Sequence, residues 1–416
     1  MERSKWAARL DKNQGIRLLM DDLGRVSGDS RATLLGGGNP AHIPAAEEIF
    51  HESFKNLEKD LSSLLGDYQA PIGNDSVREI TADYLSPYFQ TKLKKENIAF
   101  FNGSQNAFFY LLNLFSGKQE DGSVKKILLP IVPEYIGYAD QAIEENTFVS
   151  NLPKVVSTGK DRFQYQMDKS NLSFDNAGCV LLSRPTNPTG NVVSLGDLDE
   201  IQTRANQKKI PVLIDLAYGN PFPNLLGEED PVGFCDGRVL SLSFSKVGLP
   251  GVRLGIVIAD EKTISLLSNF ASVGNLAPGN LGLFLAKIFF ENDTLPKLSQ
   301  NILRPFYENK KQICLEVFER EFVKWGVEYS IHEPMGGFFL WIRFPRMNIS
   351  NAKLYQLCKD KRVFFVSGHF FFPGLSEDFS HTKDCIRLTY CREEEELARG
   401  AKIIAEMVAS HQAKPE

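Results

Sequence analysis

The sequence predicts an α/β protein, with a large domain built on a mostly parallel sheet covered by helices and a smaller α+β domain beside it. Three observations predict it. Between about residues 45 and 295 short β-rich apolar runs alternate with helical segments, the mark of repeated βαβ units. Those runs are apolar throughout rather than at every second position, as in strands buried on both faces. Finally, 416 residues at about 150 per domain leave room for two or three domains, one of them large enough for an extensive core.

Taken in order, residues 5 to 23 read as a helix with Trp6, Leu10, Leu18, Leu19 and Leu23 as apolar anchors, leading into the Gly36-Gly37-Gly38-Asn39-Pro40 cluster, which demands a turn or a close backbone approach. The clearest strands are Lys125 to Pro130, Gly178 to Ser183, Pro211 to Ile214, Arg238 to Ser243 and Gly255 to Ala259. After Pro296 a helical stretch reaches about Lys324, with Pro305 expected to kink it. Beyond it Gly337 to Phe344, Val363 to Val366 and Cys385 to Tyr390 read as strands, and 351–361 and 393–410 as helices. The last helix opens on Glu393 to Glu396, favourable at the positive end of the helix dipole, and presents Leu397, Ala401, Ile404 and Val408 at helical spacing. The sequence thus divides into a large domain, 45–295, and a small domain formed by 1–44 and 296–416.

Composition excludes several classes. Hydrophobic residues at 43% and charged residues at 24% describe an ordinary folded protein, and a net charge of −5 argues against nucleic acid or an anionic membrane as partner. No apolar run reaches the roughly 18 residues of a membrane span, and the N-terminus lacks an apolar core like that of a signal peptide. The six scattered cysteines without C-x-x-C spacing fit a reduced, cytoplasmic chain, and the six histidines show no ligand spacing, so no metal is expected.

In open α/β sheets ligands bind beyond the carboxyl ends of the strands. There the sequence places Asn187 in the turn Arg-Pro-Thr-Asn-Pro-Thr-Gly, Asp215 at the end of Pro-Val-Leu-Ile with Tyr218 just after, and Ser243, Ser245 and Lys246 ahead of Arg253. Singly, Asp215 is a candidate helix cap, Asn187 a turn residue and Lys246 a surface lysine. Together they suit pyridoxal phosphate, with the lysine forming a Schiff base and the aspartate keeping the pyridine nitrogen protonated. Asn102-Gly103-Ser104-Gln105, where Ile98 to Phe101 meets a helix, offers free N–H groups to the phosphate, and Ser243, Ser245 and Arg253 are further anchors.

With Ser243, Ser245, Lys246 and Arg253 in an S-x-S-K…R pattern and Asn187 to Gly190 as N-P-T-G, the chain resembles the fold-type I, class I and II pyridoxal-phosphate aminotransferases from Gly36 to the final helix. The resemblance implies a mostly parallel, seven-stranded-type sheet with a smaller domain beside it. It implies that Lys246 carries the cofactor and then moves the proton at the substrate α-carbon. Asp215 would pair with the pyridine nitrogen, Asn187 and Tyr218 with the phenolic oxygen, Tyr135 would stack on the ring, and Gly103, Ser104, Gln105, Ser243, Ser245 and Arg253 would hold the phosphate side. Arg387 and Gly38, with Asn187, would receive the substrate α-carboxylate, and Tyr68 would reach the phosphate of a neighbouring subunit in a homodimer with shared sites.

Seven stretches, 15–23, 36–41, 102–110, 133–140, 183–191, 217–223 and 368–375, resemble the branch that exchanges amino groups between L-valine and pyruvate. Leu216 and Val252 depart from that branch's pattern. The wall for an aliphatic side chain is expected from Phe370 to Phe372 and Tyr138. The alternatives are an alanine or broad-range transaminase, a carbon–sulfur β-lyase on the same fold, and the effector domain of a transcription regulator, for which the roughly 35 residues before Gly36 leave little room.

Overall fold

The computed structural model describes residues 2–12, 15–26, 28–55, 57, 61–225 and 231–413. Its larger sheet has eight strands. Ala177–Ser183, Val212–Asp215 and Arg238–Ser243 are parallel neighbours at its centre, with Val124–Leu129 and Phe148–Ser150 continuing in parallel on one side. Gly255–Ile258 enters antiparallel on the other side and pairs in turn with Ile98–Phe101. The eighth strand is the two-residue Gly117–Lys118, which forms a hairpin with Val124–Leu129, and it accounts for the difference from the seven-stranded expectation. Every residue of Val212–Asp215, Arg238–Ser243 and Gly255–Ile258 is buried. Because successive side chains point to opposite faces, both faces are covered, and the uniform apolar runs follow from that.

The second sheet orders Val366–Ser367, Cys385–Thr389, Phe339–Arg343, Ser330–His332, Arg162–Gln166 and Lys154–Gly159. Its last two strands come from within the 45–295 stretch, joined through the parallel pairing of Ile331 with Arg162. The run Val363 to Val366, read as one strand, changes partner midway: Val363–Phe364 pairs with Thr33–Leu34, while Val366–Ser367 pairs with Cys385–Thr389.

Helices occupy Lys5–Lys12 and Gly15–Arg25 where one helix over 5–23 is predicted; Asn13 and Gln14 lie outside the described residues. Ahead of Pro305, where a kink is expected, lies a π-helical segment, Ser299–Leu303, followed by the helix Arg304–Trp325. Pro305 has no N–H to return to the preceding turn and falls in the first turn of the following helix, where none is needed. The last helix, Glu394–His411, buries Leu397, Ala401, Ile404 and Val408 and packs on Arg304–Trp325. Ile404→Ala should therefore leave a cavity and lower stability by about 2–5 kcal/mol, read as a shift of the denaturant midpoint.

Candidate active site

Parallel register gathers the chemistry. Ser183 pairs with Asp215 and Asp215 with Ser241, so three strand ends open at one level, and the segments after them carry Asn187, Tyr218 and Lys246. They face a cavity of about 470 Å³. Gly38, Ser104, Gln105, Tyr135, Asn187, Asp215, Tyr218, Ser243, Ser245, Lys246, Arg253 and Arg387 all line it. Gly103 sits just behind the lining, and Tyr68 lies away from it on the surface, 86% exposed. Leu216 and Val252 do not contribute to the lining.

Lys246 Nζ donates to the Gly38 carbonyl at 2.7 Å and lies 5.5 Å from the ring centres of Tyr218 and Phe338. Burial pulls its pKa down to about 8. Asp215 accepts from the Tyr138 hydroxyl at 2.7 Å and the Ala217 amide at 2.9 Å; burial raises its pKa and those two bonds oppose the rise. Asn187 is held in a turn closed by Thr186 N–H to the Asn191 carbonyl at 2.8 Å and Gly190 N–H to the Thr186 carbonyl at 2.7 Å.

Arg387 occupies the middle of Cys385–Thr389, flanked by Trp341 and Val366. Its Nη1 donates to Asn187 Oδ1 at 2.8 Å and its Nη2 to the Gly36 carbonyl at 2.6 Å, while Nε has no partner among the described residues. The guanidinium lies 4.1 Å from the Phe339 ring centre, and burial lowers its pKa to about 10.

At the other end the helix Ser104–Phe115 begins on the cavity, with Gly103 as its N-cap at φ 85°. A side chain at Gly103 would strike the Arg253 guanidinium as well as strain the backbone, so glycine is required there. The antiparallel strand makes this meeting, because Gly255 pairs with Ser243 on one side and Phe101 on the other. Helix N–H groups, the Ser243 and Ser245 hydroxyls and an arginine fork converge there, a donor set suited to an anion, while the Ser104 hydroxyl donates to the Leu242 carbonyl at 3.1 Å.

Two features differ from expectation. None of Phe370, Phe371 and Phe372 lines the cavity; Phe371 packs edge-on against Trp341 and sits 5.3 Å behind the Arg387 guanidinium. The apolar lining comes instead from Ile16, Leu19, Met20 and Leu23 of the Gly15–Arg25 helix, with Phe108 and Ile136; of these Leu19 and Leu23 are named from the sequence as helix anchors, and Ile16 and Met20 are not singled out there. Tyr138 does line the cavity, but its hydroxyl serves Asp215. Glu134 went unnoticed: fully buried, it accepts from the Ser183 amide and hydroxyl at 2.7 Å each and from the Tyr135 amide at 3.0 Å, tying the Tyr135 loop to a strand end. Burial pushes its pKa up to about 8. A charge inside the otherwise apolar stretch Pro130 to Tyr135 was the available cue.

The family described as aminotransferase class I and II matches residues 40–404. The chain belongs to that family. It is 38% identical to valine–pyruvate aminotransferase from Escherichia coli (strain K12) over 408 residues, 97% of each protein. A putative amino-acid aminotransferase from Psychrobacter arcticum 273-4 superposes with a TM-score of 0.94 at 36% identity, covering 99% of both chains. The valine–pyruvate aminotransferase of Salmonella typhimurium LT2 superposes at 0.86 with 38% identity, over 95% of this chain and 98% of that one.

The fold is therefore fold-type I, and the enzymes of this family use pyridoxal phosphate. The donor set fits that group: a space that only a glycine leaves open beside Arg253, donors suited to an anion at one end, a buried carboxylate at the other and a half-buried amine between them. With the cofactor stripped, acylation of Lys246 by limiting reagent should rise through about pH 8 rather than through the 10.5 of an ordinary lysine, because burial disfavours the ammonium. Peptide mass analysis across pH measures it, and a midpoint near 10.5 would contradict that lowered pKa.

Proposed function

We propose that this aminotransferase moves the amino group between L-valine and pyruvate, yielding 3-methyl-2-oxobutanoate and L-alanine, by a ping-pong mechanism. The observation that carries this reading is one cavity that joins the Lys246 amine, the Arg387 guanidinium and a wall of aliphatic side chains. The extended identity to the Escherichia coli valine–pyruvate aminotransferase supports the same substrates.

Pyridoxal phosphate, when bound, supplies an aldehyde that takes up amino groups and a ring that accepts electrons from the substrate α-carbon. Ser104, Gln105, Ser243, Ser245 and Arg253 would hold its phosphate with the helix start at Gly103. Asp215, oriented by Tyr138, would keep a proton on the ring nitrogen, Asn187 and Tyr218 would hydrogen-bond the phenolic oxygen, and Tyr135 would cover the ring. Lys246 would hold the cofactor, and its amine would carry the proton to and from the α-carbon; an amine whose pKa lies near 8 accepts and returns a proton near neutral pH. Arg387 receives the α-carboxylate beside Gly38, and Asn187, already bonded to Nη1, fixes its plane. Ile16, Leu19 and Leu23 exclude water from the side-chain end.

We infer further that the enzyme is a cytoplasmic homodimer, with 45–295 as its large unit, apart from the hairpin Lys154–Gly159 and Arg162–Gln166 that joins the second sheet, and 1–44 with 296–416 as its small one. Exposed Tyr68, Leu65 and Val273 support a second copy, and Tyr68 follows Asp67, whose carbonyl is held by Asn280 at 2.7 Å. Among the described residues no helix is long and apolar enough to cross a membrane. Sedimentation should give a dimer, and a monomer with full activity would remove Tyr68 from any shared site.

The deciding experiment is single-turnover absorbance with separate amino acids. L-valine and L-alanine should each convert the cofactor band to the pyridoxamine form, whereas L-aspartate should not. Lys246→Ala should abolish turnover, and Arg387→Ala should raise KM about 10²-fold for every α-amino acid, the loss of a charge-assisted pair being worth about 2–3 kcal/mol or more. A band that no amino acid bleaches would reject the substrate assignment.

A further inference from the structure

The Gly15–Arg25 helix walls the cavity with Ile16, Leu19, Met20 and Leu23, yet its one buried residue is an aspartate. A helix seated by apolar packing buries its hydrophobic stripe and exposes its charges, which is the reverse. Asp22 is 2% exposed, and its two oxygens are used separately: Oδ2 accepts from the Tyr355 hydroxyl at 2.6 Å and Oδ1 from Lys359 Nζ at 2.7 Å. Tyr355 and Lys359 stand at i and i+4 on the Asn351–Asp360 helix, so they present one face to the carboxylate. On the cavity side Leu19 lies against Gly36, where a side chain would crowd it, and the Gly36 carbonyl is the acceptor for Arg387 Nη2. Only the carboxylate is buried, the Lys359 side chain being 31% exposed, so the contact adds little net stability but defines a geometry, since a buried carboxylate left without its partners is costly.

We propose that Asp22 is a positioning residue for the substrate side chain: through Tyr355 and Lys359 it seats the Gly15–Arg25 helix so that Ile16, Leu19 and Leu23 wall the cavity, and it thereby sets the preference for a branched aliphatic side chain over a methyl group. For its substrates this rests on the amino-group transfer proposed above; the seating of the helix does not.

The test compares wild-type holoenzyme with Asp22→Ala, Asp22→Asn and Lys359→Met. In Asp22→Ala, amide hydrogen exchange over 15–25 should quicken by about tenfold or more while 177–183 and 212–215 stay unchanged. The kcat/KM for L-valine should fall about tenfold, mainly through KM, and that for L-alanine by less than about twofold. Asp22→Asn keeps one acceptor, for Lys359, and turns its amide N–H toward the Tyr355 hydroxyl, which can accept, so it should restore part of each effect. Lys359→Met, which leaves Asp22 in place, should move both readouts in the same direction and covers the case in which Asp22→Ala fails to fold. Unchanged exchange over 15–25 in the folded variants overturns the proposal, as does an equal loss for valine and alanine, which would report general damage. Wild-type enzyme that turns over neither amino acid overturns the substrate reading alone, because the exchange comparison needs no amino acid.

Discussion

Asp215 and Arg387 are buried and Lys246 half-buried around one cavity, and much of the structure answers the cost of holding these ionisable groups there. A buried charge is tolerated only with partners that replace its hydration. Those partners are the Gly38 carbonyl for the amine, Tyr138 and the Ala217 amide for the carboxylate, and Asn187 with the Gly36 carbonyl for the guanidinium. This gives the glycine-rich segment a physical role. It runs beside Cys385–Thr389, with the Thr389 amide bonded to the Leu35 carbonyl, and delivers two backbone carbonyls to two cations. Burial moves the amine and the carboxylate in opposite directions, both toward their neutral forms, and that shift makes a lysine useful as a proton carrier near neutral pH.

What could be read from the sequence follows how local the determinants are. The central strands were legible because burial on both faces leaves uniform apolar runs, and the strand-end residues because each follows directly on such a run. The Ser243 to Arg253 spacing added a resemblance to the aminotransferases that composition could not supply. Pairing choices across the chain were not legible: nothing local to 154–166 indicates that it joins the sheet of Phe339–Arg343, and nothing local to Phe365 indicates that the chain changes sheets there. The side-chain wall failed for the same reason. Phe370 to Phe372 look like pocket material by composition, but an aromatic cluster can equally brace an arginine from behind, and only the tertiary arrangement decides which. Tyr138 lines the cavity as expected and in addition serves Asp215, while Glu134, a polar group inside an apolar stretch, is passed over because its partners lie on a distant strand.

The site separates its two demands. Bond making and breaking is assigned to groups on and just after fully buried strands, where parallel register fixes their spacing and little can move. On the proposed reading, side-chain recognition falls to the Gly15–Arg25 helix, whose apolar residues are only partly buried or exposed and whose firmest hold is an aspartate. Such a wall distinguishes neighbouring aliphatic side chains weakly, since one methylene is worth about 1–3 kcal/mol in an apolar pocket. It rejects an acidic side chain more strongly, because a second carboxylate would leave water to lie against Ile16, Leu19 and Leu23, and the cations lining the cavity, Lys246, Arg253 and Arg387, already have other partners or assigned anions. Changes in that helix or its seating can therefore retune the substrate range while the buried chemistry stays as it is.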